Sequence, residues 1–482
     1  MKLKNRSYRI LFMLVCLSAL LTANSCTKSI DDLRKDPEAV AGATPSSFLS
    51  GSLYDVVTNL VTSGHTINNQ LMQVSVLKQN DNEIHRYIIN PGNFRGLWNY
   101  RPVANFNEMY DLAVKTNQPN YAAIALTLKA FTIASITDTY GDVPYSQALK
   151  GLEGNVTPAY DSQKSIYESL IASLDQANDL YLLNVPLAGE DLLFGANVAS
   201  NMIKWKKFTN SLRLRLLMRI EKKGTNYGAM ISAMLANPTK YPLMTSVTDG
   251  AALYYTGVTP YLNPFFGYRD TDFNDKLIYS SYFINYLKDV NDPRLPVWAT
   301  SLPGGVYEGV QTGYPSSQQG TISGRAWSTF QIALKTNNKM GSMLQYAELE
   351  FLLAEACLKG YMADAAKTHY DKAIKASMDY WGVATVPANF TTNAKIAYNG
   401  TLEQIITQKY FALFGNGMEQ WSEYRRTNFP TLTPGPEVSN NGKMPNRIPY
   451  PTVESLYNKE SYTAAAAAIG GDNMNSKVWW QQ

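Results

Sequence analysis

Cysteine and histidine are scarce in this chain, with three of each among 482 residues. Cys16 and Cys26 fall within the first 26 positions and only Cys357 is left in the body, so an internal disulfide framework is excluded. Cys357 stands in an apolar helical run and reads as a small core hydrophobe. With His65, His85 and His369 alone, the usual general base is in short supply. The motifs H-E-x-x-H, C-x-x-C, G-x-S-x-G, the Walker loop and G-x-G-x-x-G are all absent, which removes the familiar zinc, redox, serine-hydrolase and nucleotide-binding readings.

An excess of positive charge is missing too. The chain carries 43 Lys and Arg against 39 Asp and Glu. Lys2, Lys4, Arg6 and Arg9 stand without an acid in the first 25 residues, so from position 26 onward the balance is 39 against 39. A nucleic-acid partner, which requires a basic face to neutralise phosphates, therefore has no compositional support. What the chain has in quantity is apolar and aromatic surface: 45% hydrophobic residues, with 32 Tyr, 17 Phe and 8 Trp. That is enough to bury a large core.

The leader has the layout of a signal peptide over 1–25. A basic stretch precedes the apolar run Ile10 to Ala23, and small residues come next before Cys26. The run is too short to span a bilayer, and no later segment is expected to do so. Ala23-Asn24-Ser25-Cys26 resembles a bacterial lipoprotein cleavage box, which makes Cys26 the acylated first residue and residues 26–43 a polar tether. Ordinary cleavage at the same bond is the alternative.

Helical spacing dominates the chain beyond the tether, and residues 44–482 are expected to form one unit. Ile166, Leu170, Leu174 and Ala177 form one apolar stripe; Leu344, Ala347, Phe351, Ala354 and Leu358 form another. Further helices are expected at about 98–116, 120–139, 199–221 and 401–414. Ala366, Tyr370 and Ala373 have the spacing of a tetratricopeptide second helix. The fold class is therefore mostly α: a tetratricopeptide-like scaffold of helix pairs over about 98–221 and 343–426. A loop-rich, irregular part rich in Gly, Pro and aromatics fills about 240–340, with further loops at 60–97, 382–400 and 427–450.

That loop-rich part supplies the candidate site. Ten of the rings there stand out as candidate surface, Phe266, Tyr268, Trp298, Tyr307, Tyr314 and Trp327 among them, and flat apolar rings with polar edges suit sugar faces and peptides. Arg269 and Arg325 can add bidentate hydrogen bonds, and His65 or His85 can touch a ligand from the loops before the first helix pair. Asp270, Asp272 and Asn274 have the first spacings of a calcium loop. The glycine that such a loop requires is replaced by Asp275 and the final Glu by Ser281, so they are a weak metal candidate. Asp138 and Asp142 are the carboxylate pair to weigh for a glycosidase. Their other reading is a helix C-terminus succeeded by a turn at Gly141 and Pro144. No cofactor is expected, and His369 reads as structural.

Several segments carry a resemblance to one family. Trp205 to Arg215, Asn291-Asp292-Pro293-Arg294-Leu295, Tyr346 to Ala356, Trp421 to Thr427, Arg447 to Pro451 and the closing Trp479-Trp480 together resemble the SusD-like (SusD/RagB) outer-membrane nutrient-binding lipoproteins of Bacteroidetes. The resemblance covers nearly the whole chain after the leader. It implies four tetratricopeptide-like helix pairs with an irregular ligand-binding part, lipid anchoring on the outer leaflet, and a TonB-dependent barrel of the SusC type as partner. It implies capture of a nutrient without turnover, an oligosaccharide in the first instance, with a peptide or a surface glycoside hydrolase as the alternatives. It also implies that Glu355 and Arg425 are buried partners in helix packing and that Trp205 to Arg215 is an amphipathic helix with a basic side.

Overall fold

The computed structural model describes residues 42–78, 84–195, 198–274, 276–336 and 340–482. The expected signal peptide and Cys26 lie outside them. The principal helices of the unit Pro45–Gln482 are α1 (Leu49–Ser63), α2 (Arg101–Lys115), α3 (Pro119–Tyr140), α4 (Gln163–Leu180), α5 (Asn201–Ile220), α6 (Thr225–Leu235), α7 (Ser281–Asp289), α8 (Tyr346–Leu358), α9 (Ala366–Trp381), α10 (Leu402–Ala412) and α11 (Glu419–Thr427). Short strands β1 (Ser75–Leu77), β2 (Val143–Pro144), β3 (Tyr160–Asp161), β4 (Ala251–Leu253), β5 (Leu277–Tyr279) and β6 (Gly341–Leu344) pair antiparallel as β1 with β5, β2 with β3 and β4 with β6.

Four helix pairs, α2/α3, α4/α5, α8/α9 and α10/α11, form the scaffold, and α3 also packs on α4 and α8 on α10. The residues themselves set the ends. Ser162, Ser280 and Thr401 cap α4, α7 and α10 by accepting the amides of Ser165, Phe283 and Gln404, each worth about 1 kcal/mol. Gly141 stops α3 with a φ of 88°, a conformation that a side chain would strain. The stripe Ile166, Leu170, Leu174 and Ala177 is wholly buried, as its period requires.

Three expectations need correction. First, α3 is 22 residues long and apolar enough to cross a membrane by length and composition, against the expectation that no later segment is. Its most apolar window is 83% buried inside the protein, so α3 is the central core helix. Second, α1 and α7 form where the sequence pattern predicts no helix; α7 stands in the middle of the loop-rich part. Third, the basic side of Trp205 to Arg215 is not exposed. Arg213 and Arg215 are buried, as is Arg219 one turn further on.

These arginines belong to a buried charge network that joins the helix pairs. Arg215, Arg219, Lys359, Lys409, Arg425 and Arg426 gather with Asp138, Glu221, Glu348, Glu355, Glu419 and Glu423, six charges of each sign. Arg215 forks onto Glu348 with both contacts at 2.6 Å, and Arg426 forks onto Glu355, also at 2.6 Å. Glu355 and Arg425 are both buried but are not each other's partners. Arg425 donates to the carbonyls of Asp138 and Asn446 at 2.7 and 2.8 Å and lies on the rings of Trp421 and Trp480. Burial without a carboxylate fork pushes its pKa down to about 9. Asp138 accepts from Tyr167, from Arg219 at 2.6 Å and from the indole of Trp480 at 2.9 Å, so the closing Trp pair is a structural plug.

Candidate functional site

A segment that leaves β4 at Tyr254 and runs to Asp270 is fixed at several points. Tyr54 on α1 donates its hydroxyl to the Leu262 carbonyl at 2.7 Å, and its ring meets those of Tyr255 and Tyr261 at 6.4 and 5.4 Å. The Asn263 side chain accepts the Phe265 amide at 2.9 Å, a local turn made by a short polar side chain. Phe265 points inward, and its ring meets His65 at 4.8 Å and Phe273 at 5.4 Å. Lys335 closes the far end, donating to the Tyr268 carbonyl and pairing with Asp270 at 2.9 Å.

The result is a pair of rings presented to solvent on a tethered turn. Phe266 is 42% exposed and Tyr268 is 49% exposed, with Tyr268 standing edge-on against the buried Phe265 at 5.5 Å. Arg269 comes directly after and is exposed, and Tyr254 at the start of the segment is 42% exposed. Rings held this way lose little conformational freedom when a flat apolar face settles on them.

The other predicted residues divide by burial. Tyr307 and Trp327 are half-buried and lie on adjacent segments, because the Ser328 amide donates to the Glu308 carbonyl at 3.0 Å. Trp327 donates its indole to Ile322 at 2.9 Å, and the guanidinium of Arg325 covers its ring at 3.9 Å. Arg325 is also paired with Glu308.

Trp298, Tyr314 and His65 cannot touch a ligand as they stand, which corrects the expectation from sequence. The Trp298 ring is fully buried among Phe283, Trp381 and Phe414, the last at 4.7 Å. Tyr314 is 1% exposed, and its hydroxyl donates to the Leu77 carbonyl at 2.9 Å. His65 lies parallel to Phe273 at 5.1 Å and edge-on to Phe330 at 4.6 Å, and burial lowers its pKa to about 4. His85 is likewise buried; its Nδ1 accepts the Gly313 amide at 3.1 Å, and desolvation, with help from Arg86, lowers it to about 3. All four are core.

The weak metal candidate gains no support: Asp270–Asn274 is a helical turn, and the Asp270 carboxylate is taken by Lys335. The side chain of Asp272 lies outside what the structure describes, and among the described residues no group of three His, Cys, Asp or Glu is placed to hold a metal. The carboxylate pair is also occupied by the fold. Asp138 belongs to the buried network, and Asp142 accepts the Gln163 amide at 2.8 Å, with burial raising its pKa. His369 bridges Glu350 at 2.6 Å and Asp364 at 3.1 Å, in keeping with a structural part. Sequence reasoning misses Asn263 and Lys335, which fix the loop. Asn263-Pro264 is a turn signal that points to the first, whereas nothing local marks the second.

Residues 37–451 match the model of the SusD-like family described as starch-binding and associating with the outer membrane. The chain belongs to this SusD-like family. Among solved structures, a SusD homologue of Bacteroides fragilis is 26% identical, with a TM-score of 0.78 over 91% of this chain and 100% of that one. A chitin-binding protein is 27% identical, with a TM-score of 0.73 over 91% and 100%. A chitin-binding SusD homologue of Flavobacterium johnsoniae, at 24% identity and a TM-score of 0.75 over 91% and 98%, shares the fold. No curated protein matches. The mostly helical SusD-like fold is thus the one expected from the sequence, and nutrient binding at the outer membrane is the family's character.

Proposed function

We propose that this SusD-like chain is a non-catalytic lipoprotein, anchored through Cys26 on the outer face of the outer membrane, that captures an oligosaccharide and passes it to a TonB-dependent barrel of the SusC type. The observation that carries the reading is the tethered turn that presents Phe266 and Tyr268 with Arg269 beside them. Two exposed rings on that turn, Tyr268 of them backed by Phe265, offer stacking faces for sugar C–H patches, and Arg269 adds a guanidinium to the same exposed stretch. Half-buried Tyr307 and Trp327 are the second candidate pair. The binding of chitin by one relative supports a glycan over a peptide. The use of Asp138 and Asp142 in the fold supports binding without hydrolysis.

Isothermal titration of the purified protein against a panel of glycans and oligopeptides tests the reading. Saturable binding to one glycan class, weakened about tenfold or more by Tyr268→Ala or Phe266→Ala, is the expected outcome. Release of reducing ends from the bound glycan by the purified protein would overturn it, as would a peptide as the sole ligand.

A further inference from the structure

A cavity of about 70 Å³ opens between α1, α3, α5 and α11, away from the aromatic turn. Part of its wall is apolar, with Val56, Leu60, Phe131, Ile136, Met343 and Met418, and about as many neutral polar side chains, Asn59, Thr132 and Asn416 among them, complete it. Its floor is the edge of the buried charge network, where Asp138, Arg215 and Glu419 line it. Asp138 is saturated: Oδ1 accepts from Tyr167 and Trp480, and Oδ2 from Arg219.

The other two groups are not. Arg215 uses Nε and Nη2 on Glu348 and Nη2 also on the Met343 carbonyl at 2.8 Å, while Nη1 takes no acceptor from the described residues. Glu419 receives Arg219 at Oε1, and Arg215 Nε lies 4.0 Å from the same oxygen; Oε2 takes no donor from the described residues. A guanidinium and a carboxylate thus stand side by side, each with one atom that no described residue meets, at the base of the chamber.

We propose that this cavity binds a small zwitterion, an aliphatic α-amino acid, with its carboxylate on Arg215 Nη1, its ammonium on Glu419 Oε2 and its side chain against the apolar wall. Charge decides between this and a singly charged ligand. The network already balances six cations with six carboxylates, and a zwitterion leaves that balance intact, whereas a lone cation or anion adds an unpaired buried charge. Size sets the limit. At about 70 Å³ the cavity is small, which suits a compact aliphatic amino acid better than an aromatic one.

The test is isothermal titration of the purified protein with L-valine, with isobutylamine, which lacks the carboxylate, and with 3-methylbutanoate, which lacks the amine. Valine is expected to bind saturably at one site with a Kd of about 1 mM or tighter, and each single-ended analogue about tenfold more weakly or worse. Ser135 is exposed at the cavity's edge on α3, so Ser135→Trp should block the entrance. That variant is expected to abolish valine binding with an unchanged circular dichroism spectrum and thermal midpoint. Glu419→Gln should weaken valine more than 3-methylbutanoate; if it does not fold, Ser135→Trp carries the test alone. No heat with valine from folded protein would show that the cavity holds only water. Equal affinities for the three probes, or valine binding that survives Ser135→Trp, would also overturn the proposal. Phe266, Tyr268 and Arg269 do not line this cavity, so glycan titrations of the same variant report on the aromatic turn separately.

Discussion

The helix pairs and the loop-rich part solve the same problem, holding a large interior together, with opposite chemistry. Between the helices the interior is ionic: forked arginines and carboxylates whose geometry leaves few alternative arrangements. Beneath the loops it is chiefly aromatic, with His65 and His85 packed among rings and a single buried fork, Arg294 on Asp292, lying beside Trp298. Ion pairs in a dry interior specify one mutual placement of the helices, because a lone buried charge is so costly. Ring packing tolerates irregular backbone, because dispersion has little directional demand. The part that presents surface rings is therefore the part whose own support is least directional.

Four changes would break or sharpen this contrast. The largest effect should come from Glu355→Ala, which takes from Arg426 and Lys359 one of the two carboxylates each pairs with and leaves the network one buried positive charge in excess; a loss of about 3–5 kcal/mol is expected in denaturant unfolding. Trp298→Ala should cost about the same or slightly less, about 3–5 kcal/mol, by opening a cavity in the aromatic half, and a near-normal thermal midpoint would show that the ring is not core. The third change is pH. His65 and His85 have folded values of about 4 and about 3 against an ordinary 6.5, so the folded state resists protons that the unfolded chain accepts. Their contribution is fully present above 6.5 and is lost as pH falls toward the folded values, at about 1.4 kcal/mol per pH unit for each. His369 has the opposite sign. Glu350 and Asp364 outweigh its desolvation and raise its pKa, so its contribution is present below 6.5 and disappears as pH rises through the folded value. Unfolding curves of His65→Phe and His369→Gln between pH 4 and 8 separate the two. The smallest effect on stability should be that of Tyr268→Ala, within about 0.5 kcal/mol, with the loss appearing in glycan titration instead.

Much of the helical half is legible in the sequence because burial on one side of a helix writes itself as a period. The limits 120–139 and 199–221 fall within about a residue or two of α3 and α5. Its ionic interior is not legible. Arg215 and Arg219 have the spacing of one solvated basic face, and only partners from other helices, Glu348 and Asp138, turn that face inward. The loop half reverses the difficulty. That rings gather there is plain from composition, but Phe265 and Phe266 are neighbours, one 3% and the other 42% exposed, and no local pattern distinguishes them. Trp298 and Tyr314 are indistinguishable from Tyr268 in sequence for the same reason. Orientation there is set by what lies behind each ring, His65 or Phe414 for instance, and those neighbours come from distant segments.

The indole of Trp480 bears on the order in which the molecule can be completed. Its bond to Asp138 spans 342 positions of chain, far more than the 29 and 81 that separate Asp138 from Tyr167 and Arg219. Loop closure over such a span is among the last contacts that entropy allows. Until Trp480 has left the ribosome and reached Asp138, the central carboxylate lacks a donor and Arg425 lacks one of its two ring faces. The innermost joint of the helix pairs is thus made late, from segments that the chain supplies hundreds of residues apart.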